Sequence, residues 1–337
     1  MTKAAPTLED VARVAGVSRA TVSRVVNGTR NVDPELQATV RNAIEETGYT
    51  PNRVARSLVT RRTGTVALVI SGAGGGSDVF TDPFFGRVTA GVVDFLRLHA
   101  VHPVLMLADT DAARTEVVEF LRQGSADGAL LVTTHSADPL PARLLDASVP
   151  AVLYARPGTP MPVSYVDMDH RAGGALAADH LVRTGRRNVV TISGPLDVLA
   201  SRDRHDGFRD AMARHGFPYV PSAEGGFTGE SGVVAMQQLI IEHPDLDGVF
   251  AANDLMAQAA MNCLHSYGRE IPGDVAVVGF DDSAPALACR PLLTTVRQPV
   301  EDMAAAMADL LLESLEKPGQ RPRSVIFEPE LVVRGSA

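Results

Sequence analysis

Arg19, Ala20, Thr21, Ser23 and Arg24 fall on the outer face of a short helical stretch, while Val22, Val25 and Val26 turn to the other side. Guanidinium and hydroxyl groups presented together donate to phosphate oxygens and base edges, so the chemistry they point to is DNA reading. A second cluster, SGAGGGS at 71–77, invites a phosphate cradle. However, Ser77 occupies the third glycine position of GxGxxG, and no acidic residue ends a second strand at the required distance. The chain contains no GxxxxGK[ST], GxSxG or HExxH, and His99 and His102 are followed by Pro103 with no carboxylate to complete a metal site. No cofactor, no metal and no enzymatic activity are expected.

The elements that position the outer face are legible. Thr7 and Asp10 have the capping-box spacing, so a helix begins at Leu8, with Leu8, Val11, Ala12 and Ala15 on one face. Gly16 ends it and Ser18 caps the next helix. Asp33-Pro34 opens a third, over 34–47, which Gly48 stops. Helix, glycine turn and helix make the helix-turn-helix plan, whose second helix lies in the major groove. Small helical pairs also occur in domains that never meet DNA, and charge separates the two readings. Residues 1–62 hold ten Lys and Arg against six Asp and Glu, a net of +4; the whole chain is −9, so the remainder carries −13. A basic head on an acidic body is expected when only one end meets phosphate.

Beyond RRTGT, a linker, TVALVIS reads as a buried strand, and strand-like runs (VHPVLMLA, DGALLVTT, VPAVLYA, NVVTIS, DGVFAA, DVAVVGF) then alternate with helical stretches around 84–99, 112–124, 171–184, 204–215, 230–242 and 255–268. Short apolar strands separated by helices imply parallel sheets, here about six strands in each of two halves, dividing near 160–163. A single large α/β enzyme is the competing reading, and the missing catalytic motifs weigh against it.

The stretch 7–62, with its DVARVAGVS, TVSRVVNG and GYTPNRVARSL segments, resembles the head of the LacI (lac repressor-like) family of bacterial regulators. The resemblance implies base or phosphate contacts from Thr7, Ser18, Arg19, Ala20, Thr21, Ser23, Arg24, Asn27 and Asn31. It also implies a hinge helix carrying Asn52, Ala55, Arg56 and Leu58, with the leucine wedged into a central base step. It continues through DPFFGRVTAGV, the 166–195 run, FAANDLMA, VVGFDDS and LLTTVRQP, covering nearly the whole chain. Its fold implication is an all-α helix-turn-helix head and hinge helix joined to a periplasmic-binding-protein-like α/β core of two subdomains with parallel sheets.

The same resemblance implies an effector crevice lined by Phe84, Phe85, Tyr154, Arg156, Arg204, Phe227, Asn253, Asp281 and Gln298. Asn and Asp can grip adjacent hydroxyls, Arg donates to ring or glycosidic oxygens, and aromatic faces cover the apolar side of a sugar. Each residue has a plainer rival: Asp281-Asp282 as a turn, Phe227 as core, Arg204 as a surface ion pair. Ala155 stands where the family's namesake has a sugar-contacting acid, and His170 where Asn is usual; both point away from a galactoside. The DVFTDPFF insertion, VTTHSADPLP, and SGPLDV followed by GGFT are most similar to actinobacterial members responding to cellobiose and related glucosides.

The expected protein is a repressor of carbohydrate-utilisation genes, switched by a small sugar at a pseudo-palindromic double-stranded DNA operator. Solute-binding proteins share the core, but the head and the lack of a signal-peptide core in MTKAAPTLED argue for a cytoplasmic regulator. No apolar run approaches the roughly 20 residues that span a bilayer, so no membrane partner is expected. Cys263 and Cys289 have no paired spacing. No Leu heptad follows VIFEPELVV, so the expected assembly is a homodimer. The expected domains are 1–50 for the head, 51–63 for the hinge and 64–337 for the core. Within the core, the N-subdomain takes 64–162 and 297–325, and the C-subdomain 163–296 and 326–337.

Overall fold

In the computed structural model the described residues are 6–26, 32–50, 62–72, 81–133 and 135–337. The chain divides into two compact units, Met1–Gly64 and Thr65–Ala337.

The first unit contains α1 (Leu8–Ala15), α2 (Arg19–Val26) and α3 (Pro34–Thr47). Thr7 and Asp10 form the reciprocal capping box, and Gly16 ends α1 at φ 64°. Ser18 Oγ accepts from the Thr21 amide at 3.1 Å, opening α2. Asp33 caps α3 through the Glu35 amide at 2.9 Å, and Gly48 closes it at φ 64°. Val11, Ala12, Val22, Val40 and Ala43 form the core, with Val25 and Val26 packed on its edge. Three short helices are individually marginal; this shared apolar seam holds them.

Among its described residues, the second unit has two six-stranded sheets. The first uses β1 (Thr65–Ser71), β2 (His102–Ala108), β3 (Ala129–Thr133), β4 (Ala151–Tyr154), β5 (Ser164–Met168) and β11 (Ser324–Phe327), in the order β11-β5-β4-β3-β1-β2. The second uses β6 (Val189–Ser193), β7 (Ser222–Glu224), β8 (Gly248–Ala251), β9 (Ala276–Asp281), β10 (Thr294–Arg297) and β12 (Glu330–Val332), in the order β12-β10-β9-β8-β6-β7. Every pairing is parallel except β10 with β12. Connecting helices are α4 (Pro83–Leu98), α5 (Asp111–Arg122), α6 (Leu140–Asp146), α7 (His170–Arg183), α8 (Leu199–Arg214), α9 (Gly229–Glu242), α10 (Asp254–Ser266), α11 (Ala284–Ala288) and α12 (Val300–Glu316). Covered on both faces, β6 and β9 are buried throughout, which is why they read as unbroken apolar runs.

The structure departs from the sequence reading in four places. β5 belongs to the first sheet, so the chain crosses after Met168 rather than at 162. VIFEPELVV is two strands, not one: it breaks at Glu328-Pro329, and β11 and β12 join different sheets, moving the last crossing from 325 to beyond Phe327. Helix α8 starts at Leu199, not 204, because Val198 provides no side-chain cap that could announce it. Strand β2 lies on a sheet edge, with Val104 and Leu105 exposed although the run is apolar.

One close approach sets the site. A Cβ on Gly174 would lie 2.1 Å from the Arg204 carbonyl oxygen, and one on Gly207 would lie 2.0 Å from that of Arg171. The backbones of α7 and α8 therefore touch, and their N-terminal turns bring His170 and Arg204 together.

Candidate functional site

In the head, Arg19, Ala20 and Arg24 are exposed on α2, and Thr21 and Ser23 are half-buried. Thr7 and Ser18 are engaged as caps. Arg19 pairs with Glu9 of α1 at 3.1 Å, both side chains well exposed. An exposed pair of this kind contributes little and does not lock the Arg19 side chain in place. Asn27, Asn31, Asn52, Ala55, Arg56 and Leu58 lie outside the described residues, as do most of the glycine cluster and the hinge.

Between the two sheets lies a cavity of about 490 Å³, and all nine expected crevice residues line it. Arg204, only 5% exposed, is its hub. Its Nη1 donates to the Ala252 carbonyl at 2.7 Å, Nη2 to Gln298 Oε1 at 2.9 Å, and Nε to His170 Nδ1 at 3.2 Å. Asp281 Oδ1 lies 3.3 Å from Nη1, and the guanidinium sits 3.8 Å above the Phe280 ring. A surface ion pair is therefore excluded.

His170 accepts from Arg204, so its other nitrogen carries the proton and faces Asp167 Oδ1 at 3.5 Å. Burial and the Arg204 charge hold His170 below its ordinary value, keeping it neutral. Burial works to raise Asp167, but the hydrogen bond from His170 and those from two backbone amides outweigh that and leave the carboxyl lowered.

Asp281 terminates β9 at φ 102°, a left-handed geometry that costs a non-glycine residue free energy. Ala155 at φ 86° and Phe227 at φ 62° also line the crevice, so backbone strain gathers at its walls. Burial lifts the Asp281 carboxyl to about 8, with Arg204 opposing and Asp254 and Asp82 adding to the rise. Behind it Asp254, fully buried, accepts from the Ser283 amide at 2.6 Å and from the Thr295 and Ser283 hydroxyls at 2.6 and 2.9 Å. Burial nevertheless raises Asp254 to about 6. The neighbouring Asp282 is held by Arg297 and Arg334 at 2.8 and 2.5 Å, which fixes the turn.

Asn253 Oδ1 caps α10 through the Met256 amide, and its Nδ2 donates to the Phe227 carbonyl, each at 2.9 Å. It positions the Phe227 loop while lining the crevice. Phe227 is both core and wall, packing on the second sheet's apolar cluster. Arg156 pairs with Asp203, and its amide donates to Asp167 Oδ2 at 3.1 Å. From the first half, Phe84 of α4 meets Phe85 and Tyr154 edge-to-face at 5.1 and 5.4 Å, and Gln298 Nε2 donates to Tyr154 Oη at 3.1 Å.

The sequence reading left out three features of the crevice. Asp82 caps α4 through the Phe84 amide at 2.9 Å and is raised by burial; its Asp-Pro pair was the available signal. Asp138 is spent on Arg114, Thr133 and the Leu140 amide. At the mouth, His135 Nδ1 meets Asp197 Oδ2 at 2.7 Å from the opposite half. No pattern within VTTHSADPLP or SGPLDV could have shown this last pair, because the partners are brought together only by the fold.

An oriented acid and guanidinium facing an aromatic wall suit a polar, hydroxylated ring, and among the described residues no group of side chains could hold a metal ion. Residues 7–52 match the model for bacterial regulatory proteins of the lacI family, and 178–337 match a periplasmic binding protein-like domain. The chain is 44% identical over 335 residues to the HTH-type transcriptional regulator CelR of Thermobifida fusca, covering 98% of each. It is 32% identical to the ribose operon repressor of Escherichia coli K12, covering 98% of this chain and 99% of that one. Among solved structures, a CelR-cellobiose complex matches with TM-score 0.78 at 42% identity, over 98% of this chain and 100% of that one. The lac repressor dimer bound to operator and the anti-inducer ONPF matches with TM-score 0.83 at 25% identity, over 98% and 99%.

Proposed function

The chain belongs to the lacI family of bacterial regulatory proteins, and from that premise we propose that it is a homodimeric repressor of carbohydrate-utilisation genes whose operator affinity is switched by cellobiose or a closely related glucoside. Members of the family are DNA-binding transcriptional regulators, not enzymes. The observation that carries the sugar reading is the crevice: Arg204, Asp281 and Gln298 converge beside Phe84 and Tyr154 in one cavity. Its size falls in the roughly 300–1,000 Å³ range of small-molecule sites. The relative solved with cellobiose supports that sugar over others. Ala155 removes an acid from the wall, which supports a glucoside over a galactoside.

A dimer is supported by exposed apolar side chains of the first half: Val104 and Leu105 on the edge strand β2, and Leu98, 81% exposed, at the end of α4. The lac repressor structure on operator is itself a dimer. Two-fold symmetry would place two recognition helices about one helical turn apart on a pseudo-palindrome. Among the described residues no helix is long and apolar enough to cross a membrane. Isothermal titration with cellobiose, lactose, ribose and glucose tests the reading: cellobiose is expected to bind most tightly. Tighter binding of lactose or ribose would overturn the glucoside assignment.

A further inference from the structure

Arg87 projects from the first turns of α4 and does not line the cavity. It holds four acceptors at once. Its Nε and Nη2 grip Glu301 Oε1 and Oε2, each at 2.7 Å. Its Nη1 donates to the Asp281 carbonyl at 2.9 Å and its Nη2 to the Gln298 carbonyl at 3.2 Å. Those carbonyls belong to two residues whose side chains face the cavity and meet on Arg204.

The anchoring end is rigid. Glu301 sits in the first turn of α12, and a Cβ on Gly91, one turn beyond Arg87, would lie 2.6 Å from the Glu301 carbonyl oxygen. Helices α4 and α12 are therefore in backbone contact there. The other end is strained, because Asp281 is held at φ 102°. Arg87 thus joins a fixed helix pair of the first half to the backbone of the residue that terminates β9 in the second. A planar guanidinium can satisfy a bidentate carboxylate and two carbonyls together, whereas a lysine ammonium cannot span all four.

We infer that Arg87 is a positioning residue that couples the ligand-bound state of Asp281 and Gln298 to helix α4, and so carries the effector signal between the two halves. When a ligand pulls on the Asp281 carboxyl, the peptide that bears it moves against a fixed cation, and the first half experiences the difference. Coupling of this kind is a free energy between two sites and is measured as a ratio of affinities. The choice of cellobiose in the second arm below rests on the functional reading above; the first arm needs no sugar.

The test compares Arg87→Ala, Arg87→Lys and Glu301→Gln with the wild type in the full-length protein. In the first arm, hydrogen exchange without sugar is followed in peptides covering 276–288 and 294–303. Faster exchange in Arg87→Ala is expected, and unchanged exchange overturns the inference. In the second arm, operator affinity is measured by anisotropy without and with saturating cellobiose, alongside cellobiose affinity by calorimetry. Operator affinity without sugar is expected to stay within about three-fold, while the ratio of the two operator affinities falls by about five-fold or more in both Arg87 variants. Arg87→Lys is the discriminating variant: it keeps the charge beside Glu301 and the melting temperature, yet is expected to lose the coupling. A wild-type ratio in Arg87→Lys would make Arg87 a packing and charge residue only. A wild type that ignores cellobiose would strike at the effector assignment, leaving the exchange arm to decide on Arg87.

Discussion

Replacing Arg204 with Ala should separate ligand response from DNA binding at a measurable cost in stability. The guanidinium makes three hydrogen bonds of 2.7, 2.9 and 3.2 Å, faces Asp281 at 3.3 Å and covers the Phe280 ring. Breaking a buried pair by removing one partner costs about 3–5 kcal/mol. Here the lower end applies, because Asp281 is already pushed up to about 8 and takes a proton instead of remaining a bare charge. About 3 kcal/mol in a unit of this size lowers its melting temperature by about 6–10 °C. Loss of a charge-assisted donor to the ligand removes about 1.5–3 kcal/mol, roughly ten- to a hundred-fold in sugar affinity. The head has its own core, so operator binding without sugar should remain near wild type at 25 °C. Scanning fluorimetry, calorimetry with cellobiose and operator anisotropy check the three parts. Asp281→Asn on the Arg204→Ala background should add little further loss of sugar affinity, because the two act as one clamp. A variant that kept both its melting temperature and its wild-type sugar response would refute the reasoning and make Arg204 a bystander.

The sugar affinity should depend on pH. Burial holds the Asp281 carboxyl protonated up to about 8, and accepting two hydroxyls needs the carboxylate. Binding therefore expels a proton, and affinity should rise by up to about ten-fold per pH unit before levelling above the titration; Asp281→Asn should flatten the curve, and a flat wild-type profile would contradict it. Gly194→Ala should weaken sugar binding, since its Cβ would lie 2.3 Å from the Phe227 ring and must displace it; unchanged calorimetry would show that Phe227 does not touch the ligand. Arg24→Ala, exposed on α2, should reduce the salt slope of operator binding by about 0.9, one counterion's worth; an unchanged slope would remove Arg24 from the phosphate contacts. Thr7→Ala breaks the capping box and should destabilise the head by about 1 kcal/mol, read from its melting by circular dichroism.

The head's helix boundaries were readable, because they are set by local chemistry: Thr7 with Asp10, Gly16, Ser18, Asp33-Pro34 and Gly48 each act within one turn. The central strands of the two sheets were readable because strands buried on both faces, such as β1, β6 and β9, are continuously apolar. The chain crossings were not. β11 joins the first sheet by pairing with β5, far back in the chain, while β12 pairs with β10 of the second, and nothing local distinguishes Ser324–Phe327 from Glu330–Val332. The crevice residues could be named by resemblance, but not their division of labour. That Asn253 spends itself on a cap and on Phe227, or that Arg87 reaches the Asp281 carbonyl, follows only from distances. Helix α12 has no side-chain cap at Pro299, and its start is marked instead by Glu301 and Asp302 in the first turn.

The central claim is that one crevice sugar changes operator affinity. It is tested most directly by titrating the full-length protein onto a labelled operator, selected from random DNA, with and without saturating cellobiose. The selected sequence should be pseudo-palindromic, and cellobiose should change its affinity by about ten-fold or more, within the span of typical allosteric couplings. The same sugar should leave Arg204→Ala unmoved at that concentration. Operator affinity that stayed constant across cellobiose, related glucosides and the other sugars, in a protein that binds its operator tightly, would contradict the account.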